Sequence, residues 1–246
     1  MNLQEMEGIV KESVRDANLR PEDIPAIDLY LDQITSLAAE KRREGASHYH
    51  NRELTKTMIN NYSKDGLISP VKGKKYNKEQ ILQMLLVYEL KNTLSIGEIK
   101  ELLQNVYSLP DYDSRMLEDI YARYLEMKEY QRQNAWDLLQ LYINGCGLDP
   151  ENKTDFFTLL LGMCSMSSYL KSAVQVLLPS MTEELEREEQ ERREEAKRRR
   201  KEEKKAKKAE ASAAKEAKKE ASAKESGEEL AQAAPKKEDA PAHESE

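Results

Sequence analysis

Lys56, Thr57, Asn60, Asn61 and Lys64 fall within nine residues, with Arg52 and Thr55 just before them and Lys72, Lys74 and Lys75 just after. The set combines cations with short hydrogen-bonding side chains, and no carboxylate stands between Thr55 and Lys64. Ammonium and guanidinium groups neutralise phosphate oxygens, while carboxamides and hydroxyls exchange hydrogen bonds with base edges. The chemistry suggested is therefore non-covalent recognition of a nucleic-acid duplex. Asn60 or Asn61 carries the two-headed amide that suits the edge of adenine. Nothing nearby points to catalysis. There is no nucleophile–base pair, no phosphate-cradling glycine loop and no zinc-protease pattern. Asp111/Asp113 and Glu118/Asp119 read as acids on helix ends or faces. The chain is read as a non-enzyme without a cofactor.

The elements that must position these residues are short and punctuated. Thr55 is an N-cap type, and Leu54 and Ile59 have the spacing of a hydrophobic staple around it. Gly66 can adopt the left-handed conformation that ends a helix. At about 100° per residue, Met58, Ile59 and Tyr62 share one face, and Lys56, Thr57, Asn60, Ser63 and Lys64 share the other. Ser69-Pro70 breaks the chain, and Val71–Tyr76 is expected to form a tight hairpin about Gly73 with a basic tip. Asn77 with Gln80 and Ser95 with Glu98 have capping-box spacing. They predict helices at Lys78–Thr93 and Ile96–Val106.

In this order and spacing, Ile59–Ile68, Lys74–Ile81 and Leu94–Leu103 resemble the DNA-binding domain of MerR-type transcription regulators. A wider stretch, about Ile24 to Leu178, resembles a bacterial family of unknown function that carries this MerR-like module, through Pro25–Ile34 and Leu54–Tyr62. The resemblance implies a winged helix-turn-helix that binds double-stranded DNA as a transcription regulator. The helix at Thr55–Lys64 would enter the major groove, with Lys56, Thr57, Asn60 and Asn61 nearest the bases. Lys64, Lys72, Lys74, Lys75 and Arg52 would hold phosphates. Two departures from the MerR pattern stand out: an insertion at Ala38–Glu53, after a first helix at Ala26–Leu37, and a short wing. They leave open a second reading, a protein-interaction module that keeps the fold without DNA binding.

Net charge is −7, yet the charge is unevenly placed. Lys41–Lys78 holds ten Lys or Arg against three acids. A local patch of this kind, rather than net charge, is the footprint of a DNA binder. The first residues are acidic and polar, unlike a secretory signal, and two cysteines give no disulfide framework. The expected location is the cytoplasm. Phe156–Leu170 is free of charge but short of a membrane span, so no membrane is expected.

The chain reads as all-α in four parts: residues 1–23, a helix (Leu3–Ala17) and linker; 24–106, the winged helix-turn-helix; 107–180, a helical region for dimerisation or an effector; and 181–246, a charged helical or disordered tail. Helices are expected at Ser114–Gln133, Ala135–Ile143 and Thr154–Leu178. Four acid-first pairs, Glu188/Arg192, Glu189/Arg193, Glu194/Arg198 and Glu195/Arg199, favour helix in the tail. A homodimer is expected through 107–180, where Leu117, Ile120, Tyr124 and Met127 give only about two heptads. Tyr121, Tyr124, Tyr130, Trp136, Tyr142 and Tyr169 read as packing residues, with a small-molecule effector pocket as the alternative. Cys146 and Cys164 read as buried apolar side chains. His48 and His50 read as an exposed loop pair without further metal ligands.

Overall fold

A computed structural model describes residues 1–45, 53–71 and 73–232. The chain is mostly helical. Its order is α1 (Leu3–Ser13), a 3-10 turn (Pro21–Asp23), β1 (Leu29–Tyr30), α2 (Leu31–Arg42), α3 (Lys56–Lys64), β2 (Lys75–Tyr76), α4 (Lys78–Leu90), α5 (Ile96–Tyr107), α6 (Ser114–Gln133), α7 (Ala135–Cys146) and α8 (Lys153–Gln232). Two compact units divide at Leu185/Glu186.

The first unit is built around α4. Ile81, Leu82, Met84, Leu85, Leu86 and Val87 put apolar side chains on every side of this helix, which is the pattern of a core helix rather than a surface one. All are buried, together with Ile34 of α2, Ile59 and Tyr62 of α3, Ile99 and Leu103 of α5, and Leu117 and Tyr121 of α6. The polar residues of α4 are satisfied. Gln83 is fully buried, and its Oε1 accepts from Ser69 N at 2.8 Å while its Nε2 donates to Ser69 Oγ at 2.8 Å. Gln80 Nε2 donates to the Ser69 and Pro70 carbonyls, each at 3.1 Å. A smaller core joins Met6 of α1, Trp136, Leu139 and Ile143 of α7, and Leu159 of α8.

Both capping boxes form. Asn77 accepts from Gln80 N at 2.9 Å and donates its own N–H to Gln80 Oε1 at 3.0 Å. Ser95 and Glu98 do the same on α5, which holds the Glu98 carboxyl below its ordinary range. The expected helix at Ser114–Gln133 coincides with α6.

Several expectations need correction. The first helix begins at Leu31, not Ala26, because Leu29–Tyr30 is a strand. That strand pairs antiparallel with β2, with Leu29 opposite Tyr76 and Tyr30 opposite Lys75. The basic turn at Gly73 is therefore not a self-paired hairpin: its strand partner lies before α2. Since α2 runs to Arg42, the expected insertion at Ala38–Glu53 begins later than its apolar pattern suggests. Gly45 then lies tight against the chain after α1. A Cβ there would fall 2.8 Å from Ala17 N and 3.0 Å from Arg15 O, a backbone approach only glycine permits. Cys146 and Cys164 are exposed rather than buried, because α8 leaves the core after Leu159. His48 and His50 lie outside the described residues.

α8 continues through Pro179 instead of ending at Leu178. Proline in a helix interior costs about 3 kcal/mol, but the Glu-, Lys-, Arg- and Ala-rich sequence beyond it consists of strong helix formers. Contacts of the first unit also run past Ser180. Thr182 Oγ1 donates to Glu101 Oε1 at 2.7 Å and accepts from Asn105 Nδ2 at 2.9 Å, and Leu185 is buried. In the second unit, three of the four expected acid-first pairs form: Glu188–Arg192, Glu189–Arg193 and Glu195–Arg199.

Candidate nucleic-acid interface

α3 is fixed from both ends. Thr55 Oγ1 accepts from Met58 N at 3.3 Å, supplying the N-cap. Leu54 and Ile59 are both buried in the main core, as a staple requires. At the other end Gly66 has φ of 71°, and Leu67 N donates to Tyr62 O at 2.9 Å, closing the last turn. Ile59 and Tyr62 point into the core, and Met58 is half-buried against it. The opposite face is open: Lys56, Thr57, Asn60, Asn61 and Lys64 are all exposed.

The turn before α4 is held beside this helix by the two-stranded sheet. Gly73 has φ of 90°, and Lys74 and Lys75 are exposed. Lys75 Nζ stands 5.0 Å from the centroid of the Tyr30 ring, across the β1–β2 pair, a cation–π contact that leaves the ammonium available on its outer side. Ser69 and Pro70, which lead into the turn, are gripped by Gln80 and Gln83 as described above. Arg52 and Lys72 lie outside the described residues.

Some features of the surface are not readable from local sequence. Lys56 is paired with Asp32 of α2, so a carboxylate lies beside the face that α3 itself keeps free of acids. Lys91 Nζ sits 4.5 Å from the centroid of the Tyr88 ring and 3.8 Å from Met58 Sδ, under α3. Lys100 of α5 borders the end of α3: a Cβ on Gly66 would lie 3.6 Å from its Nζ. A cation there is favoured by the exposed carbonyls of a helix C-terminus. Lys91 and Lys100 follow the two capped helices in sequence, and only the tertiary packing brings them to α3.

This whole arrangement, from the chain before β1 to the first half of α6, lies inside one recognisable domain. Residues 19–124 match a domain of unknown function, DUF1836. The DUF1836 domain thus takes in α2 to α5, β1 and β2 and every candidate contact residue, while α1, α7 and α8 lie outside it. It ends at Tyr124, so the longer resemblance to Leu178 is supported only that far. No curated protein and no solved structure matches the chain.

Other candidate sites gain little. Among the described residues no group of His, Cys, Asp and Glu is placed to hold a metal ion. Of the aromatic side chains considered for an effector pocket, Tyr121 and Trp136 are buried in separate cores, and Tyr130 and Tyr169 are each 67% exposed. The cavity that Tyr121 borders has about 50 Å³, room for water rather than an effector. No helix among the described residues is long and apolar enough to cross a membrane.

Proposed function

We propose that the DUF1836 domain binds double-stranded DNA as a transcription regulator, using a MerR-like winged helix-turn-helix in which α3 enters the major groove and the Gly73 turn rests on the backbone. The observation that carries this reading is the clean division of α3. Its apolar residues are anchored in the core, while Thr57, Asn60, Asn61 and Lys64 form an exposed strip with Lys74 and Lys75 beside it. Asn60 and Asn61 supply base-reading amides, and the lysines supply phosphate contacts. Lys100 joins the phosphate set. This is a binding function without a catalytic step.

The Lys56–Asp32 pair favours a second reading, a protein-interaction module, because the carboxylate offsets one cation and would repel phosphate. Binding of the full chain to random duplex and to a site selected from genomic fragments, across a salt series, separates the two. DNA binding predicts a log–log salt slope of about −3 to −5, reflecting several phosphate contacts. Absence of binding to both duplexes at low salt would favour the protein-interaction reading.

A further inference from the structure

The stretch of α8 from Phe157 to Met181 is apolar on every side and scarcely covered. Ten of its large apolar side chains are between 38% and 72% exposed, and Lys171 is its single charged residue. Leu159 is buried with Trp136, and Leu178 is buried near the turn where Gln175 and Thr182 bond to α5. A helix that is apolar all round is one whose surroundings complete it. Soluble monomers seldom expose contiguous apolar patches beyond roughly 300–600 Å². Ten partly exposed side chains of this size present on the order of 800 Å², which is what one partner contributes to a stable interface, about 800 Å².

We propose that this face of α8 is closed by the same face of a second copy, in an antiparallel pair of helices centred on Leu170, which makes the chain a homodimer. Met163, Met166, Leu170, Val174 and Leu177 lie within about 80° of one another at about 100° per residue. Their successive spacings of three, four, four and three residues read the same in both directions. A two-fold axis at Leu170 therefore sets Leu170 against Leu170, Met166 against Val174 and Met163 against Leu177. This is the self-complementarity that an isologous interface requires. Lys171 falls about 100° off this seam, at its solvent rim. The near absence of charge leaves nothing for a charged partner to pair with, whereas a second copy of the same seam matches it without any. The proposal stands independently of DNA binding.

The test is sedimentation of the full chain over a concentration series, alone and as Leu170→Lys with Leu177→Lys. Both leucines are more than 60% exposed in one copy, so the lysines should leave helix content and thermal unfolding of the chain intact. The parent should be a dimer at micromolar concentration, and the double variant should dimerise at least about 100-fold more weakly. A second measurement fixes the geometry. In a Cys146→Ser, Cys164→Ser background, Met163→Cys and Leu177→Cys chains should form an interchain disulfide when mixed and oxidised, and Met163→Cys alone should not. A parent that stays monomeric at every concentration overturns the proposal, including one that instead floats with anionic lipid vesicles. So does a dimer that survives both lysines, or a Met163→Cys chain that cross-links to itself.

Discussion

The hydroxyl of Tyr121 donates to the carbonyl of Leu19 at 3.0 Å, and both residues are buried. This bond ties α6 to the residue at which the DUF1836 domain begins. Tyr121→Phe keeps the ring but strands a buried carbonyl, so it should cost about 1–3 kcal/mol. Urea unfolding should show a lower midpoint with an unchanged slope.

Near that bond, Lys128 of α6 serves three acceptors. Its Nζ contacts Glu89 Oε2 and Asn18 Oδ1 at 2.6 and 3.0 Å, and also Asp16. The Glu89 side chain is only 5% exposed and that of Asp16 14%. Lys128→Met leaves two poorly solvated carboxylates without their cation and should destabilise by about 3–5 kcal/mol. Adding Glu89→Gln to Lys128→Met should restore part of that loss, and a double-mutant cycle by chemical denaturation measures the coupling.

Five tyrosines, Tyr62, Tyr107, Tyr112, Tyr121 and Tyr124, have phenol pKa values raised chiefly by burial, Tyr62 to about 12. A raised folded-state value means that the unfolded chain ionises first. Stability is therefore unaffected by these groups below about pH 10, the unfolded value, and falls as pH rises above it. Thermal melts from pH 8 to 12 should show the decline setting in near pH 10, with tyrosinate absorbance rising together with unfolding. The Tyr62 hydroxyl is buried without a hydrogen-bond partner. Tyr62→Phe should therefore be neutral or stabilising by up to about 1 kcal/mol at pH 7.

Legibility from the sequence tracked how local each cause is. The caps at Thr55, Asn77 and Ser95, the two faces of α3 and the bounds of α6 follow from spacings of three or four residues, and the structure agrees with them. β1 is two residues long, too short for alternation to register, and its partner is β2 on the far side of α2 and α3. The salt bridge of Lys56 with Asp32, and the approach of Lys91 and Lys100 to α3, likewise depend on how separate helices pack. Cys164 was misplaced because an apolar run was equated with burial, whereas α8 carries that run out from the core.

The end of the first unit can be tested by two truncations. A chain ending at Leu185 keeps the Thr182 bonds to Glu101 and Asn105 and the buried Leu185. It should unfold within about 0.5 kcal/mol of the parent, as expected when no core contact is lost. A chain ending at Ser180 loses all three features and should be less stable by about 2–3 kcal/mol. Calorimetry on the two proteins gives the comparison.

Three substitutions separate positioning from reading on the proposed DNA surface. Lys74→Ala with Lys75→Ala should weaken every duplex alike and reduce the magnitude of the salt slope by about two. Asn60→Ala should cost about 1–3 kcal/mol on a selected site and little on random DNA. Asp32→Ala, which frees Lys56, should tighten both by a few-fold at low salt, roughly one added phosphate contact. Fluorescence anisotropy on the two duplexes reads all three, and parent-like binding in every case would remove this face from the DNA reading.

Gln80 and Gln83 act on a stretch that has no regular structure of its own. Their carboxamides template the backbone at Ser69 and Pro70, so the path from α3 towards the Gly73 turn is set by the core helix beneath it. A partner arriving at α3 and Lys74–Lys75 therefore meets relief that is already cast, and little ordering entropy remains to be lost on contact. Association there should look like rigid docking in a calorimeter, with a heat-capacity change set by the area of contact and no added component from coupled folding.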